Sequence, residues 1–213
     1  MEKTGTPNEY RRVVKERILE YAMREFLSHG IRAVTMNDIA TELCISKRTV
    51  YEIYADKQDL VLDCLHYHFQ MAKIRMQEET AKCSNVMELL VSFYNSHIND
   101  ISNFCPAFTD DLKRYAKAME YIQEITEERN KKALMFFERG VEEGYFRSDV
   151  DYDVVLQLTH ETTIAFSEKR LFERYSLPML FRNFLLTYLR GISTLKGVEL
   201  LDGLLGNQEK IED

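Results

Sequence analysis

The sequence predicts an all-α protein, with a small N-terminal group of short helices followed by a larger helical part. Three prolines and eight glycines in 213 residues are too few for the turns of an all-β chain, while good helix formers such as Leu, Glu, Lys, Met and Ala abound. Apolar residues recur at helical spacing over most of the chain. A composition that is 45% hydrophobic supplies a full core without disulfides or metals.

The first helix is carried by Val14, Ile18, Ala22 and Phe26, four residues apart, with Arg11, Arg12, Lys15, Arg17 and Arg24 around them. Gly30 fits its C-terminal cap. Thr35 then caps a short helix, with Asp38 three residues on as an imperfect capping box, and Met36, Ile39, Ala40 and Leu43 form its apolar face up to about Cys44. Ser46 caps a third helix after a tight turn. Within it Val50, Ile53 and Tyr54 share one face, Arg48 and Glu52 point away from it, and Lys47, Thr49 and Tyr51 lie on the flanks. Asp56 caps a long helix that places Leu60, Cys64, Tyr67, His68 and Met71 at helical spacing.

Downstream, Ser84 opens a helix to about Ile101, Pro106 starts a long helical pattern to Glu143, and Gly144-Tyr145-Phe146-Arg147 punctuates it. Two more helices follow, at about 151–174 and 178–195, and the polar tail beyond Gly203 is expected to fray. With no internal repeat or Gly/Ser linker, the division falls where charge and helix length change, giving 1–55, 56–205 and a tail at 206–213.

Charge separates the same parts. The formal net charge is −7, which excludes a general nucleic-acid coat protein. Residues 1–55 nevertheless hold nine Lys/Arg against eight Asp/Glu, while the rest of the chain holds 19 against 27. The acidity therefore lies outside the N-terminal part. Four cysteines, at 44, 64, 83 and 105, form no CxxC pair and read as free thiols of a reducing compartment. The polar opening MEKTGTPNEYRR and the lack of any eighteen-residue apolar run predict a cytoplasmic protein with no membrane partner.

Two short helices joined by a tight turn, the second exposing Lys47, Arg48, Thr49 and Tyr51, describe a helix-turn-helix. The chemistry suits it to duplex DNA. One helix fills a major groove, Arg can bond bidentately to guanine O6 and N7, and hydroxyls and amines can fix phosphate oxygens.

The segment TMNDIATELCISKRTVYEIYADKQDL, residues 35–60, closely resembles the signature of the TetR family of transcriptional regulators. The agreement runs through Thr35, Ile39-Ala40, Ile45-Ser46, Thr49, Tyr51, Tyr54 and Lys57-Gln58-Asp59-Leu60. The resemblance implies that Thr35, Thr49, Tyr51 and Lys57 anchor phosphates, with Lys47 and Arg48 at base edges or nearby backbone. Departures are Leu43-Cys44 before the turn, Arg48 where Gly is frequent, and Glu52-Ile53 for more usual polar or aromatic residues. Glu52 fits an i,i+4 pair with Arg48 better than a contact to cytosine.

The resemblance extends weakly through GVEEGYFRSDVDYD and implies a C-terminal helical domain for ligand binding and dimerisation. Aromatic and Met residues of the middle helices, Phe93, Tyr94, His97, Phe104, Phe108, Tyr115, Met119 and Phe137, are the candidate pocket lining. The family's pairing of its last two helices marks Leu156, Thr159, Thr163 and Phe166, with Phe181, Phe184, Leu185 and Tyr188, as candidate dimer residues. The implied function is a homodimeric repressor released from palindromic operator DNA by a small-molecule effector, with no cofactor.

Two other classes compete. An adaptor that keeps the fold without binding DNA would not need Lys47, Arg48, Thr49, Tyr51 and Lys57 together. An enzyme lacks its signatures, since no GxSxG, Walker loop, HExxH or GxGxxG occurs. Cys64 and His68 stand four apart, but no further ligand is spaced to complete a metal site, so none is expected. Asp110-Asp111 and Glu127-Glu128 are sequence neighbours that diverge around a helix and make poor acid/base partners.

Overall fold

The computed structural model describes residues 7–102 and 105–209. Among them every regular element is helical, apart from a single antiparallel bridge between Phe146 and Ser193. The chain forms two compact units, one built from 7–74 with 105–123 and the other from 75–102 with 124–209. This differs from the division expected at residue 55. The reason is packing: Leu60, Val61, Cys64 and Leu65 bury their side chains with the N-terminal helices, as do Phe108, Leu112 and Ala118.

The first unit opens with α1, Pro7–His29. Its buried stripe of Val14, Ile18, Leu19, Ala22, Met23 and Phe26 packs into one core with Ile31, Ile39, Val50, Leu60 and Cys64. Gly30 ends it at φ +87, a left-handed conformation that glycine adopts without penalty, and its N–H closes on the Phe26 carbonyl at 2.9 Å. Helices α2 (Met36–Glu42), α3 (Lys47–Ile53) and α4 (Lys57–Lys82) follow. Each start has the cap that the sequence predicts. Asp56 Oδ1 accepts from the N–H groups of Gln58 and Asp59 at 2.8 and 3.0 Å, satisfying the first turn of α4.

The expected single helix after Pro106 is broken into α6, Ala107–Leu112, and α7, Ala116–Glu142. No Gly or Pro stands at the break, so its cause is tertiary. Phe108 and Leu112 are drawn into the first core, and the Asp111 carboxylate accepts from the Arg32 N–H at 2.8 Å. Those ties fix α6 beside the end of α1.

In the second unit, α5 (Val86–Ser102) is capped by Asn85, not Ser84: Asn85 Oδ1 accepts from Met87 and Glu88 N–H at 3.0 Å each. Helix α8 covers Tyr152–Glu168, ending earlier than expected, and a 3-10 turn at Leu171–Glu173 follows left-handed Arg170. Helix α9 (Leu177–Ile192) begins on Ser176 with proline in its first turn. A further helix, α10 (Leu195–Glu209), begins where the preceding helix was expected to end and continues past Gly203, where fraying was expected; its Leu201 is fully buried.

Val86, Met87, Phe146, Leu189, Ile192 and Leu201 make the second core. Gly140 permits it, because a Cβ there would stand 2.1 Å from the Phe146 ring. The 145–147 segment is pinned to the end of α9 by Arg147 N–H on the Ile192 carbonyl and Thr194 N–H on the Tyr145 carbonyl, both 2.9 Å.

Candidate nucleic-acid interface

Helices α2 and α3 are set by short-range chemistry. Thr35 is extended and caps α2, its Oγ1 accepting from Asp38 N–H at 3.2 Å while Asp38 Oδ2 accepts from Thr35 N–H at 2.8 Å. The capping box is therefore complete. These bonds from the Thr35 N–H and hydroxyl hold the Asp38 pKa below its ordinary value. The turn runs through Cys44 at φ +54, with Ile45 N–H bonded to the Ala40 carbonyl at 3.0 Å. Ser46 then caps α3, accepting from Thr49 N–H at 3.0 Å.

Long-range ties hold this pair against α1. Arg17 donates to the Leu43 carbonyl at 3.4 Å, at the end of α2, and Arg11 donates to the Glu52 carbonyl at 3.0 Å, at the end of α3. Val50 is fully buried beneath α3. Tyr54, also buried, donates its hydroxyl to Asp63 Oδ2 at 2.9 Å, and Lys15 pairs with the same oxygen at 2.6 Å. Burial, reinforced by the Asp63 charge, raises the Tyr54 pKa far above the ordinary phenol value. It is a structural hydroxyl. The bracing arginines give no local signal that periodicity alone would identify as a tie to α2 or α3.

What remains outward on α3 is Lys47, Arg48 and Tyr51, all exposed, with Thr49 half-buried. The Lys47 ammonium stands 5.8 Å from the Tyr51 ring centre, so amine and phenol share one flank. Arg48 Nε donates to Glu52 Oε1 at 2.7 Å, an exposed i,i+4 pair that extends the guanidinium along the helix. Thr49 Oγ1 lies 2.8 Å from Ser46 Oγ. These groups form the solvent face of α3, and Thr35 at the start of α2 is exposed as well.

Lys57 is a correction. Expected to reach a phosphate, its amine turns inward and donates to the backbone carbonyls of Ile31, at 2.5 Å, and Val34. Half-buried, it loses hydration, which pulls its pKa down against the opposing pull of Asp111 and Asp38. At the first residue of α4, with carbonyls 23 and 26 residues upstream to satisfy, it ties the loop before α2 to α4.

The candidate pocket residues are divided between the two units. Phe108 and Tyr115 pack with the first core, Phe137 stacks on Tyr152 at 4.7 Å within the second unit, and Tyr94 is buried beside Phe181. Phe93 is half-buried and Met119 exposed. Phe104 and the side chain of His97 lie outside the described residues.

Of the candidate dimer residues, Phe181 is stacked at 6.4 Å on Tyr94 and Leu185 packs on the second core, so both serve their own chain. Phe166, Phe184 and Tyr188 form a half-buried aromatic row, Leu156 and Thr159 are half-buried, and Thr163 is exposed. The apolar side chains that stand most open on these helices are others: Val154 at 51%, Leu158 at 49% and Met179 at 53% exposure.

Comparison with known proteins matches residues 18–64 to the family described as bacterial regulatory proteins, tetR family. The HTH-type transcriptional repressor KstR2 of Mycobacterium tuberculosis is 27% identical over 151 residues, 68% of this chain and 76% of that protein. Its solved structure superposes with a TM-score of 0.59 at 24% identity, over 84% of this chain and 95% of that one. A putative transcriptional regulator from Saccharomonospora viridis, in complex with choline, gives a TM-score of 0.72 at 20% identity, covering 86% and 99% of the two chains. The regulator FadR from Bacillus subtilis, in complex with stearoyl-CoA, gives 0.60 at 16% identity, covering 83% and 98%. These likenesses show the fold.

Proposed function

We propose that the chain is a member of the TetR family of bacterial regulatory proteins, a homodimeric transcriptional repressor whose α3 reads a palindromic operator and which a small-molecule effector releases. The observation that carries the reading is the state of α3. It is capped by Ser46, braced by Arg11 and seated on Val50, yet its Lys47, Arg48 and Tyr51 are left to solvent. An adaptor would have no use for a basic, hydroxyl-bearing helix held outward in this way. Arg48 is the base reader of the set, and Thr35, Lys47, Thr49 and Tyr51 position the backbone.

One such helix covers too few base pairs to specify a site, so a second copy is required. The open Val154 and Leu158 of α8 and Met179 of α9 support a two-fold interface on these helices, extended by Phe166, Phe184 and Tyr188. The effector acts by binding the operator-incompetent arrangement of the dimer more tightly, a coupling of about 1–3 kcal/mol. No helix among the described residues is long and apolar enough to cross a membrane, which supports action in the cytoplasm.

Enrichment of bound duplexes from a random-sequence library tests this reading. The expected product is an inverted repeat whose half-sites lie about one helical turn apart or a small multiple of it, lost when Arg48 or Tyr51 is replaced by Ala. Recovery of no consensus, or of a single unrepeated site, would contradict it.

A further inference from the structure

Helix α3 carries one carboxylate, Glu52, which stands four residues after Arg48 on the same face. Val50 lies two residues from each and is fully buried beneath the helix, so at about 100° per residue both charged side chains are turned away from the core. Arg48 Nε donates to Glu52 Oε1 at 2.7 Å. Its two Nη groups donate to nothing among the described residues, so the end of the guanidinium stays open. Arg147 shows the alternative: it grips Asp149 through Nε and Nη2 together, which spends that side of its fork.

A recognition helix contacts base edges mainly through its N-terminal residues. Arg48 is the second residue of α3 and Glu52 the sixth, about 6 Å farther along the axis. When Arg48 enters a major groove, Glu52 therefore stands behind it, within the field of the phosphates. A lone carboxylate there would be repelled. Paired, it acts on the arginine in two ways. It holds Nε, so the open Nη groups are aimed as a planar fork that matches guanine O6 and N7. It also offsets the guanidinium charge, so Arg48 gains little from a bare phosphate, whose attraction is the same for every sequence. Arg11 fixes the base of this arrangement by donating to the Glu52 main-chain carbonyl at 3.0 Å.

We propose that Glu52 is a specificity-determining residue of the operator site: it positions the Arg48 guanidinium for a guanine in each half-site and weakens contacts made to phosphate alone. The inference rests on the reading of α3 above and deepens it by naming the base. Glu52 itself touches no base. It acts through Arg48, as a positioning residue, and its effect is a difference between sequences, not a gain on all of them.

Selection of duplexes bound by the full chain from a random library, followed by competition of the selected operator against its single-base variants and against unrelated duplex, tests it. The native chain should favour one guanine in each half-site over other bases by about 5- to 150-fold, and Arg48→Lys, which keeps the charge without the fork, should abolish that preference. Glu52→Ala should lower the preference by about threefold or more, beyond the roughly twofold that an exposed pair is worth, while affinity for unrelated duplex rises by about twofold or more. Glu52→Gln separates the two effects. It should retain part of the guanine preference, because its amide oxygen still accepts from Nε, yet bind unrelated duplex as tightly as Glu52→Ala. Because Arg11 grips the main chain, α3 keeps its seat and Tm should hold in both variants. A guanine preference that survives Glu52→Ala in full, a loss that falls on a cytosine instead, or an equal weakening on every duplex would each overturn the proposal. All three leave an operator bound by the native chain, so the repressor reading survives them, whereas a native chain that selects no consensus defeats that reading and this inference together.

Discussion

The two units differ in how finished their interiors are. Among the described residues the first unites twenty buried apolar residues in one cluster, and the second, although longer, unites eight. In the first, α2, α3 and α4 are capped by Thr35, Ser46 and Asp56, and the recognition pair is tied back to α1. In the second, aromatic side chains from α8 and α9 stay half-buried and apolar ones stand open. A DNA reader must hold its side chains in one arrangement before it meets the groove. A sensor must keep surface in reserve for an effector and a second copy. The contrast in packing is the contrast between those tasks.

The largest expected effect breaks the finished unit. Phe26 is fully buried, and Phe26→Ala should cost about 3–5 kcal/mol in chemical denaturation, with loss of operator binding. Leu185→Ala, at a half-buried position of the second core, should cost about 1–2 kcal/mol. Equal losses would erase the distinction.

A smaller effect should be favourable. Cys44 is a non-glycine residue at φ +54 in the helix-turn-helix bend. The relief of its left-handed strain outweighs the extra freedom of an unfolded glycine, so Cys44→Gly should stabilise by about 0.5–1 kcal/mol, read as a higher denaturation midpoint at unchanged slope.

The smallest concerns pH. Because Asp38 has a lowered folded pKa, its capping contribution is present above the ordinary Asp value of about 3.9 and is lost as pH falls through the lower folded one. Stability measured below about pH 4 should therefore drop more steeply in the native chain than in Asp38→Asn. Parallel acid limbs would contradict the capping role.

The same contrast explains what the sequence disclosed. Thr35, Ser46, Asp56 and Gly30 act on neighbours within four residues, so the helices of the first unit could be read from them with almost the boundaries observed. The α6/α7 break could not, because it depends on Asp111 reaching Arg32, 79 positions away, through a stretch of ordinary helix formers. Helix α10 did not stand out as a separate element, with Gly197, Gly203 and Gly206 along it, although Gly197 is required where a Cβ would meet the Tyr145 carbonyl oxygen at 2.2 Å. The exposed face of α3 followed from its register alone. Lys57 did not, since an amine near a helix start suits a phosphate and a distant carbonyl equally well.

Salt dependence of operator binding by fluorescence anisotropy tests the central claim most directly: that α3, and not the start of α4, meets the DNA. The native chain should lose affinity steeply as salt rises, Lys47→Ala should flatten that slope by about one unit, and Lys57→Met should lower Tm while leaving the slope of the folded protein unchanged. An unaltered slope in Lys47→Ala together with a flattened one in Lys57→Met would contradict the account.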